Sequence, residues 1–280
     1  MPIRLARYSD LDAISSTLAE GFHSEEVMGP ILHPYRQEYP DDYLNYWRRQ
    51  CLEKWWDYSY IFVVSYLEEH FEDPDKRDRD GDNPNTQEDV EKETREDMTN
   101  RKPPQAKREV ITGVAQWHRM GPGWEAIWKP AGKWDPRVYI TSLISLYHKY
   151  FLNVMFPNRA ASKPPQITEP LLRKALIKAI GSFYTSPPHR QTNWALSVLA
   201  VRPGYQKHGH GRELVAWGLD KAREDCIPAS VLSAKGKDTF YRRCGFTELV
   251  GWATDGEDNP LKGLIEGGAV MFTRVKEDDA

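Results

Sequence analysis

Cysteine is scarce in this sequence: Cys51, Cys226 and Cys244 are the only three in 280 residues, and they lie far apart. That spacing excludes a disulfide framework and the paired ligands of a zinc finger, and no metal site is expected. The thiols read as reduced, which points to a cytoplasmic protein and leaves the nucleus open. Long apolar runs are missing as well. Nothing approaches the roughly 20 residues that span a bilayer, so no membrane partner is expected. The N-terminus lacks the basic stretch and apolar run of a secretory signal. Net charge is only -3, which gives no reason to expect nucleic acid. There is no internal repeat. What remains is a chain that is 40% hydrophobic. It is long enough to bury a core as one domain, 1–280, with insertions. Nothing in the sequence indicates an oligomeric state.

Periodicity sketches the elements. Ile3 to Arg7 is extended, and Ser9 and Asp10 offer N-cap oxygens to a helix whose buried stripe is Leu11, Ile14, Leu18 and Phe22. Residues 41–57 read as an aromatic-rich helix and 58–67 as a strand. From Glu68 to Asn100 there are 14 acidic and 5 basic residues and almost no large apolar ones. Such a stretch cannot offset its ordering entropy by burial. The expectation is an acidic loop over 68–108, expanding the turn between two strands, the second running from about Glu109 to Arg119. Setting that net -9 aside leaves +6 on the rest of the chain. A helical insertion is expected over 121–190, with helices at 137–156 and 169–183 punctuated by prolines. The last third alternates: strand 194–201, a glycine-rich turn, helix 209–225, strand 229–234, short helix 238–243, and strands 246–251 and 269–275. That order predicts a mixed α/β sheet.

The chemistry gathers in Leu199-Ala200-Val201-Arg202-Pro203-Gly204-Tyr205-Gln206-Lys207-His208-Gly209-His210-Gly211. The strand stops at Pro203, which cannot continue a ladder. Gly209 and Gly211 let the backbone turn and let a ligand approach without meeting a Cβ. The first amides of the helix point outward with the positive end of its dipole behind them, which suits a phosphate or diphosphate. Lys207, His208 and Arg212 add positive charge. Gly211 is followed by Arg212 and Glu213, not by the Lys-Ser/Thr of a P-loop, and position 214 is Leu, not the third Gly of a dinucleotide fingerprint. A purely structural helix cap is the competing reading.

This run resembles the acetyl-CoA-binding motif of the GNAT (GCN5-related N-acetyltransferase) superfamily, through Leu199 to Val201, Pro203, Gln206, Gly209 and Gly211. At the family's spacing follows Phe240-Tyr241-Arg242-Arg243-Cys244-Gly245-Phe246, which is similar to its Tyr-x-x-x-Gly-Phe segment. The resemblance is close over 193–251, loose over 1–22 and 109–118, and absent over 120–190. It implies a mixed, mostly antiparallel sheet flanked by helices, with acetyl-CoA as co-substrate. Backbone groups of the strand at Leu199, Ala200 and Val201 would hold the pantetheine arm. The amides of Gln206, Lys207, His208, Gly209, His210 and Gly211 would hold the diphosphate, with help from Arg212.

Tyr241 stands where the family commonly has its general acid, with a packing aromatic as the alternative. Where some relatives carry a Glu or His base, this chain has Ala195, Leu196 and Ser197. His118 is a candidate base because imidazole titrates near neutrality; a merely structural histidine, a water ordered by Ser197, or no base at all are the other readings. The implied activity is direct acetyl transfer to an amine. The first choice of acceptor is a small-molecule amine, helped by aromatic walls from the Phe22–Tyr60 stretch. A protein or peptide amine is the second choice, and a non-catalytic acetyl-CoA-binding module is the third.

Overall fold

The computed structural model describes residues 1–70, 107–122, 143–144, 146–147, 151, 155–161 and 168–274. Most of the expected acidic loop, and much of the helix expected at 137–156, lie outside the described residues. The chain divides into two units, Met1–Tyr66 with Ile111–Ala280, and Leu67–Val110. In the second unit only the outer ends of two strands are described.

Seven strands, β1 (Ile3–Leu5), β2 (Tyr60–His70), β3 (Lys107–Met120), β4 (Asn193–Val201), β5 (Ala229–Ser233), β6 (Glu248–Trp252) and β7 (Ala269–Phe272), form one sheet. Their order is β1-β2-β3-β4-β5-β7-β6. The β1–β2, β3–β4, β5–β7 and β6–β7 pairs are antiparallel, and β4–β5 is parallel. The sheet is therefore mixed and mostly antiparallel. Among the described residues five helices flank it: α1 (Leu11–Phe22), α2 (Pro40–Trp55), α3 (Glu169–Thr185), α4 (His210–Glu224) and α5 (Asp238–Cys244).

Each face of the sheet has its own core. On one, Ile14 and Leu18 of α1 and Tyr43, Tyr46 and Trp47 of α2 pack on Phe62, Val64, Val114 and Ala200. On the other, Leu214, Val215 and Ala222 of α4, with Tyr241 and Phe246, pack on Ala115, Trp117, Trp194, Leu196 and Val231. A smaller cluster joins Leu172 of α3 to Ala253, Leu261 and Ile265 in the β6–β7 connection. Helix α1 begins where the periodicity places it, but its cap differs from the expected one. The Asp10 carboxylate makes no cap bond to α1; it accepts from Arg4 Nη1 and from the Arg7 amide, both at 2.6 Å, and so ties the helix start back to β1.

α4 lies hard on the sheet. A Cβ added at Gly218 would stand 2.0 Å from the indole of Trp117, which is fully buried and donates from Nε1 to Leu214 O at 3.3 Å. The indole has no room to retreat, because its face is the floor of the core and its N–H is already committed. Gly218→Ala is therefore expected to cost about 3 kcal/mol, the upper end of ordinary overpacking. Urea denaturation of the variant beside the wild type checks this, with m unchanged.

Candidate active site

The site begins with an irregularity in β4. Against β3, Val198 pairs with Gln116 and Leu196 with Trp117, so Ser197 is an extra residue in the ladder. Such a bulge bends its strand and raises the local twist. It also changes which residues face which way. Trp194 and Leu196 lie in the α4-side core and Val198 and Ala200 in the α1-side core, while Leu199 returns to the α4 side. The parallel partner is lost at the same point. β4 pairs with β5 only from Trp194↔Ala229 to Leu196↔Val231, whereas β5 goes on pairing with β7 through Ser233. From Ser197 to Val201 β4 is thus a strand with one open side.

The open side faces usefully. The Arg202 amide donates to Thr112 O on β3 at 2.9 Å. Since an antiparallel ladder alternates bonding directions, the peptide groups of Leu199 and Val201 turn away from β3, into the gap. The Val201 carbonyl accepts from Gln206 Nε2 at 3.0 Å, which fixes the loop entrance. Next comes a short 3-10 turn, Pro203–Tyr205. Lys207 has φ of 67° and Gly209, the α4 N-cap, has φ of 93°. Two left-handed residues so close together curl successive amides into a concave nest that suits an anion. Gln206 to Gly209 are all exposed. A Cβ at Gly209 would meet nothing within 4 Å, so its requirement is conformational and the space above it is free. At Gly211 a Cβ would stand 3.5 Å from Phe240 Cζ and 3.7 Å from Val201 Cγ2. This brings the start of α4, the end of β4 and the first ring of the Phe240-Tyr241 pair together.

One residue holds both ends of the loop. Thr112 takes Arg202 on its backbone oxygen, and its Oγ1 lies 3.0 Å from His210 Nδ1 and 3.1 Å from Ser65 Oγ. His210 is 1% exposed, and burial, then the nearby His208 charge, depress its pKa. Its imidazole is therefore a neutral anchor beneath the loop, and only its backbone amide faces the nest. Reading the motif gave the amide; the buried tie to Thr112, nearly 100 residues away in sequence, left no local signal.

Tyr241 sits in α5, 8% exposed, in edge contact with Phe240 at 5.1 Å and Phe246 at 5.9 Å. Burial, then Cys244, push its phenol well above the ordinary value, so it stays protonated at every physiological pH. The exposed Arg212 lowers the Cys244 thiol through its charge, while burial acts more strongly to raise it. On the opposite face, a cavity of about 160 Å³ opens beside the bulge. Its walls include Phe22, Tyr46, Trp47, Gln116, Ser197 and Val198. Cys51 also lines it, with a thiol pushed up to about 12 by burial. That thiol is a neutral wall group and not a nucleophile.

His118 lies away from the nest but only two residues along β3 from the cavity-lining Gln116. It pairs with Ala195, six β4 residues before Val201, or about 20 Å along the strand. Its ring stacks on Tyr60 at 4.2 Å, and burial depresses its pKa. It is not among the residues lining the cavity. Among the described residues no group of three or more His, Cys, Asp or Glu is placed to hold a metal, and no helix is long and apolar enough to cross a membrane.

A strand parted from its parallel neighbour, with a glycine nest at its end, defines a site for an extended ligand that ends in an anion. Residues 174–248 match the family described as "Acetyltransferase (GNAT) domain". The match runs from within α3 to the first residue of β6 and contains both motifs. No curated protein matches the chain. Solved structures of similar shape include a histone acetyltransferase HPA2 and related acetyltransferase from Corynebacterium glutamicum. It is 14% identical, covers 98% of this chain and 96% of that one, and has a TM-score of 0.48. The PaiA N-acetyltransferase of Thermoplasma acidophilum, in complex with coenzyme A, is 9% identical, with coverages of 98% and 99% and a TM-score of 0.40. A mosquito arylalkylamine N-acetyltransferase like 5b is 14% identical, with 97% of both chains covered and a TM-score of 0.40. The assignment rests on the family match and not on these distant likenesses.

The Thr112 tie makes a testable demand. Thr112→Val keeps the backbone bond to Arg202 and leaves His210 Nδ1 without its partner, a loss of about 1–3 kcal/mol. Coenzyme A affinity measured by calorimetry is expected to fall about tenfold, and Thr112→Ser is expected to restore it. A second demand concerns acid. Burial is the largest influence lowering the pKa of His33, His118 and His210 below 6.5. The unfolded chain therefore takes up protons that the folded chain refuses. Stability is complete above about pH 6.5 and should decline as pH falls below it, with a slope set by the extra protons bound on unfolding. Denaturant midpoints between pH 7.5 and 5 check the sign.

Proposed function

We propose that this protein is an acetyl-CoA-dependent N-acetyltransferase that moves the acetyl group directly to the amine of a small molecule. The observation that carries this reading is the divergence of β4 from β5 at Ser197, which leaves the Leu199 peptide groups and the Val201 N–H without a strand partner on one side and leads straight into an exposed glycine nest. An extended pantetheine arm can continue the sheet along those groups while the diphosphate sits on the amides from Gln206 to Gly211. Acetyl-CoA supplies the activated thioester. The chain's part is to orient it, to offer a backbone N–H of the open strand segment to the oxygen that gains charge, and to meet the departing sulfur with a proton donor.

Tyr241 is the proposed donor. Its phenol stays protonated, which suits a hydrogen bond to a sulfur gaining charge. Its raised pKa makes it a weaker acid than a free phenol, so stabilisation by hydrogen bonding matters more here than complete transfer. The amine would enter from the α1–α2 side, through the cavity walled by Phe22, Tyr46 and Trp47. The cavity's modest volume supports a small acceptor over a protein chain. Among the described residues lining the cavity with Ser197 none is a carboxylate or histidine, so the amine loses its proton to solvent or to a water held by Ser197.

The test is thiol release from acetyl-CoA across an amine panel, with coenzyme A binding followed by calorimetry. Binding in the micromolar range and turnover of at least one small amine are expected. Tyr241→Phe should lower kcat by about a hundredfold while coenzyme A affinity holds. No affinity for coenzyme A in folded protein would sink the reading.

A further inference from the structure

The acceptor cavity carries information about its ligand that acetyl transfer by itself does not require. Among its lining residues the only charged side chain is a cation, Lys54 near the end of α2. Gln50, Gln116 and Ser197 add neutral donors, and the rest of the lining is thiol, phenol or apolar. A site for a bare amine cation would carry the opposite charge, because an ammonium entering a partly desolvated cavity needs a carboxylate or an aromatic cage to offset its lost hydration.

Lys54 itself is incompletely satisfied. Its side chain is 19% exposed. Its ammonium lies 4.8 Å from the centre of the Tyr60 ring and 3.5 Å from Glu53 Oε1, an ion pair longer than a good hydrogen bond. No described residue accepts a hydrogen bond from it. The acid groups nearby are already engaged. Glu53 is the loose partner of Lys54, and Glu169, whose charge also acts on Lys54, accepts from Gln50 Nε2 at 3.3 Å and from the Tyr46 hydroxyl. Gln50 precedes Lys54 by one helical turn, so its amide and the ammonium share one end of the α2 face. Trp47 lies seven residues before Lys54, about 10 Å along the helix, at the apolar end with Leu18, Phe22 and Met28. The cavity is therefore polarised, with a cation and amide donors at one end, an apolar wall at the other, and the bulge at Ser197 alongside. Its volume of about 160 Å³ is roughly five waters, which suits a small ligand.

We propose that the acceptor is an amine that also carries a carboxylate, a small amino acid with an apolar side chain, and that Lys54 selects it. The carboxylate meets the Lys54 ammonium and the Gln50 amide, and the apolar side chain lies against Phe22, Met28 and Trp47. The α-amine then faces the open strand segment at Ser197 and Val198. This arrangement completes the hydrogen bonding of a mostly buried cation, which is the physical reason for the preference. The inference rests on the acetyltransferase reading above and goes beyond it by naming the substrate class.

The test uses matched pairs that differ only in the carboxylate, phenylalanine against phenethylamine and leucine against isoamylamine, with acetyl-CoA and detection of free thiol. Wild-type kcat/KM is expected to favour the amino acid in each pair by about tenfold or more, the worth of a charge-assisted hydrogen bond. Lys54→Met should erase that ratio and Lys54→Arg should keep it, with calorimetric coenzyme A binding certifying that each variant is folded. Preference for the decarboxylated amine, a ratio that survives Lys54→Met, or coenzyme A binding without turnover of any amino acid would each overturn the proposal. Failure to bind coenzyme A would instead sink the acetyltransferase reading on which it rests.

Discussion

The bulge at Ser197 is the constraint on which the rest of the site depends. One extra residue in β4 shifts every later side chain to the other face, bends the strand, and coincides with the last β4–β5 pair at Leu196↔Val231. Without it, Leu199 and Val201 would bond to β5 and the sheet would close over its own binding groups. Unpaired peptide groups in a sheet interior are costly unless something satisfies them. Here Gln206 caps the Val201 carbonyl, and the remaining groups are left for a ligand that can behave like a strand. The fold thus gives up sheet hydrogen bonds on one side of five residues, and that sacrifice is what makes an elongated binding site.

A gap of this kind needs firm edges. On the β3 side the edge is Thr112, which holds the loop where it leaves the strand and where it enters α4. On the other, α4 is seated by Gly218 against Trp117, and Asp225, just past its end, accepts from Arg119 Nε at 3.0 Å and Trp194 Nε1 at 2.9 Å. The helix that presents the nest is fixed at both ends to β3 and β4. An oxygen-binding loop preorganised by its scaffold loses little freedom when ligand arrives. That explains why a histidine can be spent as a buried anchor at position 210, where its charge would otherwise have been useful.

Most of this architecture was legible in the sequence because it is local. The α4 stripe of Leu214, Val215, Gly218 and Ala222, the Pro203 stop and the glycines are periodic or punctuating signals, and they placed β4, the loop and α4 to within a residue or two. The Ser9/Asp10 cap was also a local reading, yet a tertiary partner overrode it: Arg4 draws the Asp10 carboxylate away from α1. The bulge was not legible, since Trp194-Ala195-Leu196-Ser197-Val198-Leu199-Ala200 shows no break in a sheet buried on both faces. Nor was the cavity, which joins α1, α2, β3 and β4 over about 180 residues of chain. His118 shows what the register adds to residue type. Its chemistry fits a base, but the register sets it opposite Ala195, stacked on Tyr60, on a stretch where β4 and β5 are still paired.

The two faces of the sheet divide the work, and their electrostatics differ accordingly. On the α4 side the nest and Arg212 provide positive potential at an exposed surface, where a multiply charged ligand can arrive hydrated and exchange water for amides. On the α1–α2 side the cavity is recessed and walled by Phe22, Tyr46 and Trp47, so a charge in it is felt more strongly than at the open surface. Between them only the open segment of β4 is shared, and a group held along it is accessible from both faces. In the reaction we propose, Tyr241 would close the cofactor side with a phenol that burial keeps neutral. A charged acid there would repel or compete for the incoming anion, whereas a neutral donor would wait until the sulfur gains charge. The same burial that weakens Tyr241 as an acid would then make its hydrogen bond count most at bond cleavage, when it meets a developing anion.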